Sequence, residues 1–255
     1  MMPLIIFSFI FGLCIGSFLN VCIFRIPAQK SIVHPGSMCL KCGYQIRFYD
    51  NIPVLSYAIL QGKCRQCKTP ISIRYPLVEI MTGLFAVCAF LRFGPTAEAA
   101  IYFFFIAVLI VITYIDIDHQ IIPDVISLPG IIIFFIAAMA IPSVSMKDSV
   151  FGLLLGGGTL FAIAWLYSTL TGKDGMGGGD IKLLAMMGPI IGWKGVFFTI
   201  FVSSAVGTIA GLLMMIATRK DMKLKIPYGP FLSIGAITYI FFGEQIIFWY
   251  FQFLR

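Results

Sequence analysis

Long apolar runs decide what this chain can fold into. Windows long enough to cross a hydrocarbon core, or nearly so, fall at 3–23, 76–93, 97–116, 125–141, 149–170, 194–217 and 229–251, set against the roughly 20 residues that a helical span needs. Inside lipid no water is at hand for backbone N–H and C=O groups, so each run must form helix and satisfy its own backbone. Composition agrees: 60% of the 255 residues are hydrophobic and 11% are charged, and the mean hydropathy is +0.99, far above that of a water-soluble domain. The expected class is an all-α, multi-pass membrane protein. Residues 1–23 carry neither a basic leader region nor a small-residue cleavage site, so they are expected to be a retained span rather than a signal peptide.

The formal charge of +7 would suit a nucleic-acid binder, but the cations are clustered. Eight of the 18 Lys and Arg lie within 25–74 and four more within 219–225. Basic loops between apolar runs follow the positive-inside bias, so the expected partner is the lipid bilayer and no nucleic acid. With 25–74 cytoplasmic, the chain crosses twice to reach the turn after Asp116 and twice more to reach 171–180. The loop 218–228 then falls on the same side only if the short apolar run 181–191 also crosses. About eight spans are therefore expected, with both termini outside the cytoplasm. Gly156-Gly-Gly158 and Gly207-x-x-x-Gly211 are expected to mark close helix packing.

Between the first two runs stand Cys39-Leu-Lys-Cys42 and Cys64-Arg-Gln-Cys67, two knuckles 21 residues apart. This spacing can place four thiolates tetrahedrally around Zn²⁺. Disulfides are the competing reading, but thiols in a cytoplasmic loop stay reduced. A closed four-sulfur shell leaves no position for water, so the zinc would be structural. A segment of this size cannot build a sufficient core, and metal binding would supply the missing folding energy. Cys14, Cys22 and Cys88 lie in apolar runs and read as small buried hydrophobes.

Two further stretches carry carboxylates at the boundaries of apolar runs, where a charge is expensive and marks a site. In Tyr114-Ile-Asp-Ile-Asp-His-Gln-Ile-Ile-Pro-Asp124, the third long run is expected to end near Asp116, with Pro123 opening the next helix. Asp118 and Asp124 read as solvated turn or N-cap residues, which leaves Asp116 as the carboxylate held at the boundary. The second stretch is Gly175-Met-Gly-Gly-Gly-Asp180. Its glycines, among them Gly177 and Gly179, permit conformations closed to other residues and let another chain approach closely. It lacks the Gly-Lys-Ser/Thr ending of a phosphate loop. If Asp116 and Asp180 meet, repulsion and burial keep one protonated while the other ionises, the acid and base pair for attack of water on a peptide bond. Lys182 could steady the ionised carboxylate or snorkel to the surface. Glu79, near the start of the second run, reads as a binding or catalytic acid or as a helix-terminus charge. His34 and His119 are the only histidines and no His-Glu-x-x-His occurs, so serine, cysteine and zinc peptidase chemistries lack their parts.

These motifs together, with Gly16-Ser-Phe-Leu-Asn-Val-Cys-Ile-Phe-Arg-Ile-Pro27 in and after the first run, resemble the bacterial type IV prepilin peptidase and N-methyltransferase family of pilus and type II secretion systems. The resemblance covers nearly the whole chain. It implies a catalytic pair at the Asp six residues before Ile-Pro and at the Asp of Gly-x-Gly-Asp, which are Asp116 and Asp180 here, and it disfavours Asp118. It implies an inner-membrane enzyme that cuts prepilins and pseudopilins after the glycine ending a short basic leader. The new N-terminal residue would then be methylated from S-adenosylmethionine. The implied organisation is a first span at 1–24, a cytoplasmic four-cysteine zinc domain at 25–75 linked to methyl transfer, and a peptidase core of seven helices at 76–255. Asp174 stands where the family has glutamate, a change that keeps the charge. No glycine-rich cofactor loop of the soluble methyltransferase kind occurs, so no cofactor-binding residues can be named. A transporter with intramembrane carboxylates is the alternative; it predicts acids near mid-membrane rather than at the ends of runs.

Overall fold

The computed structural model describes residues 1–172, 177–218 and 226–253. Asp174, the Gly175-Met176 start of the glycine-rich stretch and the basic residues at 219–225 lie outside the described residues. Among those described, the order is α1 (Met2–Arg25), a 3-10 turn (Phe48–Asp50), α2 (Leu55–Ile59), α3 (Arg74–Phe93), α4 (Ala97–His119), α5 (Asp124–Ala138), α6 (Met146–Thr171), α7 (Gly178–Thr218) and α8 (Gly229–Phe253). Among the described residues six helices are long and apolar enough to cross a membrane, and α5 is a shorter apolar helix of 15 residues. No strand forms among the described residues; two isolated bridges, Met38 to Gln45 and Lys63 to Pro70, are the only β pairing. The chain divides into two compact units, Met1–Val111 and Ile112–Arg255.

In the first unit α1 packs on α3 through small residues. A Cβ built on Gly12 would lie 2.7 Å from the Ala86 Cβ, and one on Gly16 would lie 2.7 Å from the Glu79 Cα. The facing stripe of α3 is Val78, Glu79, Thr82, Gly83, Ala86 and Ala89, spaced at the three- and four-residue intervals of a helix face. The segment between α1 and α3 folds around the four knuckle cysteines.

The second unit is organised around the start of α7, where every residue from 183 to 192 is buried. Apolar on all sides, this stretch can only be a central helix. Straight, the 41 residues of α7 would run about 60 Å, roughly twice the thickness of hydrocarbon. The helix breaks at Gly192, whose φ of 66° and ψ of 175° are a conformation essentially closed to other residues. Beside this core runs α6, capped at its N-terminus by Ser145, whose Oγ accepts from the Asp148 N–H at 3.1 Å, and ended by Gly172 in the left-handed region. The closest approach is Gly152 against Gly188, where a Cβ on either would collide with the carbonyl of the other.

Two expectations need correction. The Gly207 and Gly211 positions meet only the side chains of Phe231 and Ile226, at 3.4 Å, so that spacing does not mark a close backbone crossing. Of the triple glycine, Gly156 is the member pressed on α7, 2.5 Å from the Leu184 carbonyl oxygen by its built Cβ, while Gly158 has nothing within 4 Å. Also, α4 does not end at Asp116 but continues to His119 and closes at Gln120, whose N–H donates to the Asp116 carbonyl at 2.9 Å. A buried, hydrogen-bonded carboxylate gives a helix no reason to stop.

This packing separates two glycines one turn and a half apart. Gly152→Val is expected to lower the thermal midpoint of the detergent-solubilised protein by the equivalent of about 1–3 kcal/mol or more. Gly158→Val, placed in open space, should leave it within the error of the scan.

Candidate active site and metal centre

The four knuckle sulfurs converge. The Sγ atoms of Cys39, Cys42, Cys64 and Cys67 all lie within 4.8 Å of one another, and Cys39 and Cys67 are 3.8 Å apart. Bonds of about 2.3 Å to a tetrahedral zinc place sulfurs about 3.8 Å apart, whereas a disulfide needs about 2 Å. The thiols are free. Each knuckle uses the same turn: Cys39 N–H donates to the Tyr44 carbonyl and Gly43 N–H to the Cys39 carbonyl, while Cys64 N–H donates to Thr69 and Lys68 N–H to Cys64. Gly43 at φ 69° and Lys68 at φ 58° occupy the same place in the two turns. Arg65 clamps the segment, its Nε and Nη2 donating to the two Asp50 oxygens at 2.7 and 2.6 Å, which holds the Asp50 carboxyl below its usual range.

The sulfurs are not electrically alike. Cys39 is lowered by the backbone N–H groups of Cys42 and Lys41, and Cys67 is brought down to about 6 by the Thr69 hydroxyl and amide. Cys42 receives the Tyr44 N–H, which favours its thiolate, yet loss of water and the neighbouring sulfurs push it up to about 11. Four crowded thiols cannot all ionise without a cation between them, so the donor set fits Zn²⁺.

In the second unit Asp116 lies one turn before the end of α4 and is 5% exposed. Its Oδ2 accepts the Gly229 N–H at 2.9 Å, a donor that the start of α8 leaves free of any intrahelical partner. A Cβ on Gly229 would fall 2.7 Å from that oxygen and 3.5 Å from the Ile122 Cδ1; one on Gly179 would fall 3.0 Å from the Ile122 Cβ. Ile122 is thus wedged between Gly179 and Gly229, which gathers the starts of α7 and α8 at the Asp116 end of α4. Asp180, half-buried in the first turn of α7, follows Gly179 directly and so stands at the same Ile122 wedge that Gly229 shares with Asp116. Gly177, exposed, accepts the Asp180 N–H at 3.2 Å.

The remaining expected residues sort differently. Asp118 is exposed, because two residues turn a helix by about 200°. Asp124 is the first residue of α5 rather than its cap, which is Pro123. Lys182 does not steady Asp180: its Nζ donates to both Asp124 oxygens, at 2.7 and 2.8 Å. This pair ties the start of α7 to the start of α5. Glu79 is no solvated terminus charge either, being 8% exposed with its Oε2 accepting the Val54 N–H at 2.7 Å. Sequence reasoning passed over Gly229 and Ile122. The signal for Gly229 was Pro227-Tyr-Gly-Pro230, a rigid stretch opening the last apolar run; Tyr228 locks it, its hydroxyl 2.8 Å from the Ser203 Oγ.

Residues 10–93 match the bacterial peptidase A24 N-terminal domain, and residues 103–212 match the type IV leader peptidase family. The first stretch holds all four knuckle cysteines and the second both Asp116 and Asp180. The chain belongs to the type IV leader peptidase family. Within it, the Pseudomonas aeruginosa protein named prepilin leader peptidase/N-methyltransferase is 38% identical over 269 residues, covering 96% of this chain and 93% of that one. An identically named family member from Aeromonas hydrophila is 34% identical, over 98% of this chain and 95% of its own. Another, from Myxococcus xanthus, is 36% identical over 84% of this chain and 64% of its own. No solved structure matches.

The sulfur geometry predicts one zinc ion per chain in the purified protein, read by mass spectrometry, and its loss in Cys64→Ser. Returning zinc to the stripped protein at pH 8 should release protons, because Cys42, at about 11, is still protonated there and must ionise to bind. That release should shrink as the pH is raised towards 11.

Proposed function

We propose that this protein removes the short basic leader from type IV prepilins and pseudopilins, cutting after glycine, and then N-methylates the new N-terminal residue. What carries the peptidase half is the burial of Asp116 on the Gly229 N–H, at the Ile122 wedge where α7 begins with Asp180. Acids placed as a pair at helix ends also favour this reading over a transporter, which would keep them near mid-membrane.

In the proposed mechanism one carboxyl is ionised and the other carries a proton. The ionised one takes a proton from water as the oxygen attacks the scissile carbonyl. Its partner donates to the carbonyl oxygen and then helps protonate the departing amine, so no covalent intermediate is needed. The Gly229 N–H fixes the Asp116 carboxyl group and leaves its second oxygen for this work. Gly177 and Gly179 belong to the substrate loop at the start of α7: the open side of Gly177 leaves room for an extended peptide backbone, while the space beside Gly179 is taken by Ile122. Lys182 serves that loop indirectly, through Asp124.

The four cysteines would hold structural zinc, which keeps the 25–75 segment folded. S-adenosylmethionine would supply an electrophilic methyl group to the pilin amine. The break at Gly192 supports counting α7 as two crossings, which with the other helices makes eight. The basic segments at 25–74 and 219–225 support an active face on the cytoplasmic side of the bacterial inner membrane. A prepilin fits this frame, its basic leader staying in the cytoplasm and its apolar helix in the bilayer. On this reading 1–24 is the first span, 25–75 the zinc domain and 76–255 the peptidase core.

With a purified prepilin and detergent-solubilised enzyme, Asp116→Asn and Asp180→Asn should each lose at least about 100-fold in cleavage rate while remaining folded. Asp118→Asn should cut normally; continued cutting by Asp116→Asn would remove that residue from the pair. Gly229→Ala should also cut slowly, because its new methyl group crowds the Asp116 oxygen. In Cys39→Ser, methylation scored by mass spectrometry should fall further than cleavage, and equal losses would count against a separate role for the zinc segment.

A further inference from the structure

Between the end of α1, the start of α3 and both knuckles the first unit forms a half-open cavity of about 720 Å³. That volume is ordinary for a site that holds one small organic molecule. Glu79 and Ser17 line it from the two helices, and Phe24, Tyr44 and Lys41 line it as well. Two features set it apart from a packing defect. Glu79 is buried, yet the group that donates to it, the Val54 N–H, is neutral. Arg25, Lys30, Lys41 and Arg65 also line the cavity, but the donor to Glu79 is neutral. A buried carboxylate held without a cationic partner is costly, and the cost is recovered when a positively charged ligand arrives. Val54, which also lines the cavity, holds a φ of 61°, a strained conformation for a β-branched residue. Such strain persists where the surroundings enforce it and collects at binding sites; here the Glu79 hydrogen bond enforces it.

We propose that this cavity binds the sulfonium methyl donor, with the Glu79 carboxylate facing the positive sulfur; the assignment rests on the methyltransferase reading above. The lining matches the donor part by part. A carboxylate and aromatic faces suit a sulfonium, the same rings offer a flat surface to a purine, and Lys41 offers a cation to the donor's own carboxylate. The pilin's α-amine is the other cation of the reaction, and its binding is a distinct outcome below.

The test uses full-length, zinc-containing protein in detergent, wild type and Glu79→Gln, titrated calorimetrically with S-adenosylmethionine and with S-adenosylhomocysteine. The second compound has the same purine and amino acid but a neutral sulfur. Glutamine can still accept the Val54 N–H, and unchanged zinc content confirms folding. Affinity for S-adenosylmethionine should fall about tenfold or more in Glu79→Gln, with S-adenosylhomocysteine held within about twofold. Equal weakening of both makes Glu79 a structural residue and overturns the proposal, as does no change in either. Unchanged donor affinity with a raised KM for the pilin peptide also overturns it and moves Glu79 to the amine. Photocrosslinking of S-adenosylmethionine to the wild type needs no variant: label on residues 17–79 supports the site, and label within Ile112–Arg255 refutes it. A wild type that methylates pilin but fails these tests refutes the cavity alone, whereas one that neither methylates nor binds either compound refutes the methyltransferase reading with it.

Discussion

In hydrocarbon, helices gain nothing by hiding leucine from water, so their association must come from close contact and from hydrogen bonds. Both units of this protein meet that constraint with glycine. Gly12 and Gly16 let α1 lie against the backbone of α3, and Gly152 and Gly188 let α6 and α7 touch carbonyl to backbone. These approaches fix where the functional groups stand. Gly16 faces the Cα of Glu79, so the spacing that admits α3 also sets the position of the buried carboxylate. The early part of α7, held by α6 and by α5, carries Asp180 at its first turn.

Burying a carboxylate demands a donor, and the two buried acids find theirs in the same kind of place. Asp116 takes the free N–H at the start of α8; Glu79 takes the N–H of Val54, the cap of α2. Helix starts have unsatisfied N–H groups to offer and a favourable dipole. Each acid, fixed on one long helix, therefore recruits the start of another element far away in sequence. The difference lies in the partners. Asp116 shares its end of the helices with a second acid, which suits proton exchange, whereas Glu79 takes its hydrogen bond from a neutral group and faces a cavity, which suits a cationic guest.

What the sequence made legible was whatever has a period or a spacing. Apolar run length located the spans because lipid enforces helix, and the cysteine spacing located the metal cluster because two knuckle turns repeat the same hydrogen bonds. Asp116 could be separated from Asp118 because it directly follows the apolar run, and the helix that continues past both to His119 puts them on different faces. Contacts between remote segments left no such trace. Nothing local says that Lys182 reaches Asp124 rather than Asp180, since that choice depends on how α5 and α7 pack. Gly229 was equally hidden: its N–H matters only because α8 begins opposite Asp116. Among the glycines, the regular Gly207 and Gly211 pair meets side chains, while the real contact couples Gly152 to Gly188 across two helices, which no spacing within one helix can show.

The four-cysteine segment illustrates how such a chain keeps a small polar module ordered beside long apolar helices. It has one 3-10 turn, one short helix and two bridges, too little regular structure to bury a core of its own. Four sulfurs in one cluster tie its two halves, and the Arg65 clamp on Asp50 joins them again. Yet a metal fixes only the segment's internal shape. Its attachment to the membrane helices comes from polar contacts, the Glu79 bond to Val54 and the Asn20 amide donating to the Tyr75 carbonyl at 3.1 Å. Loss of a metal from the cluster would therefore loosen the segment that carries Val54, one wall of the cavity. The Asp116 pocket, built from α4 and α8, shares none of these supports, and that is the physical reason to expect the two chemistries to fail separately.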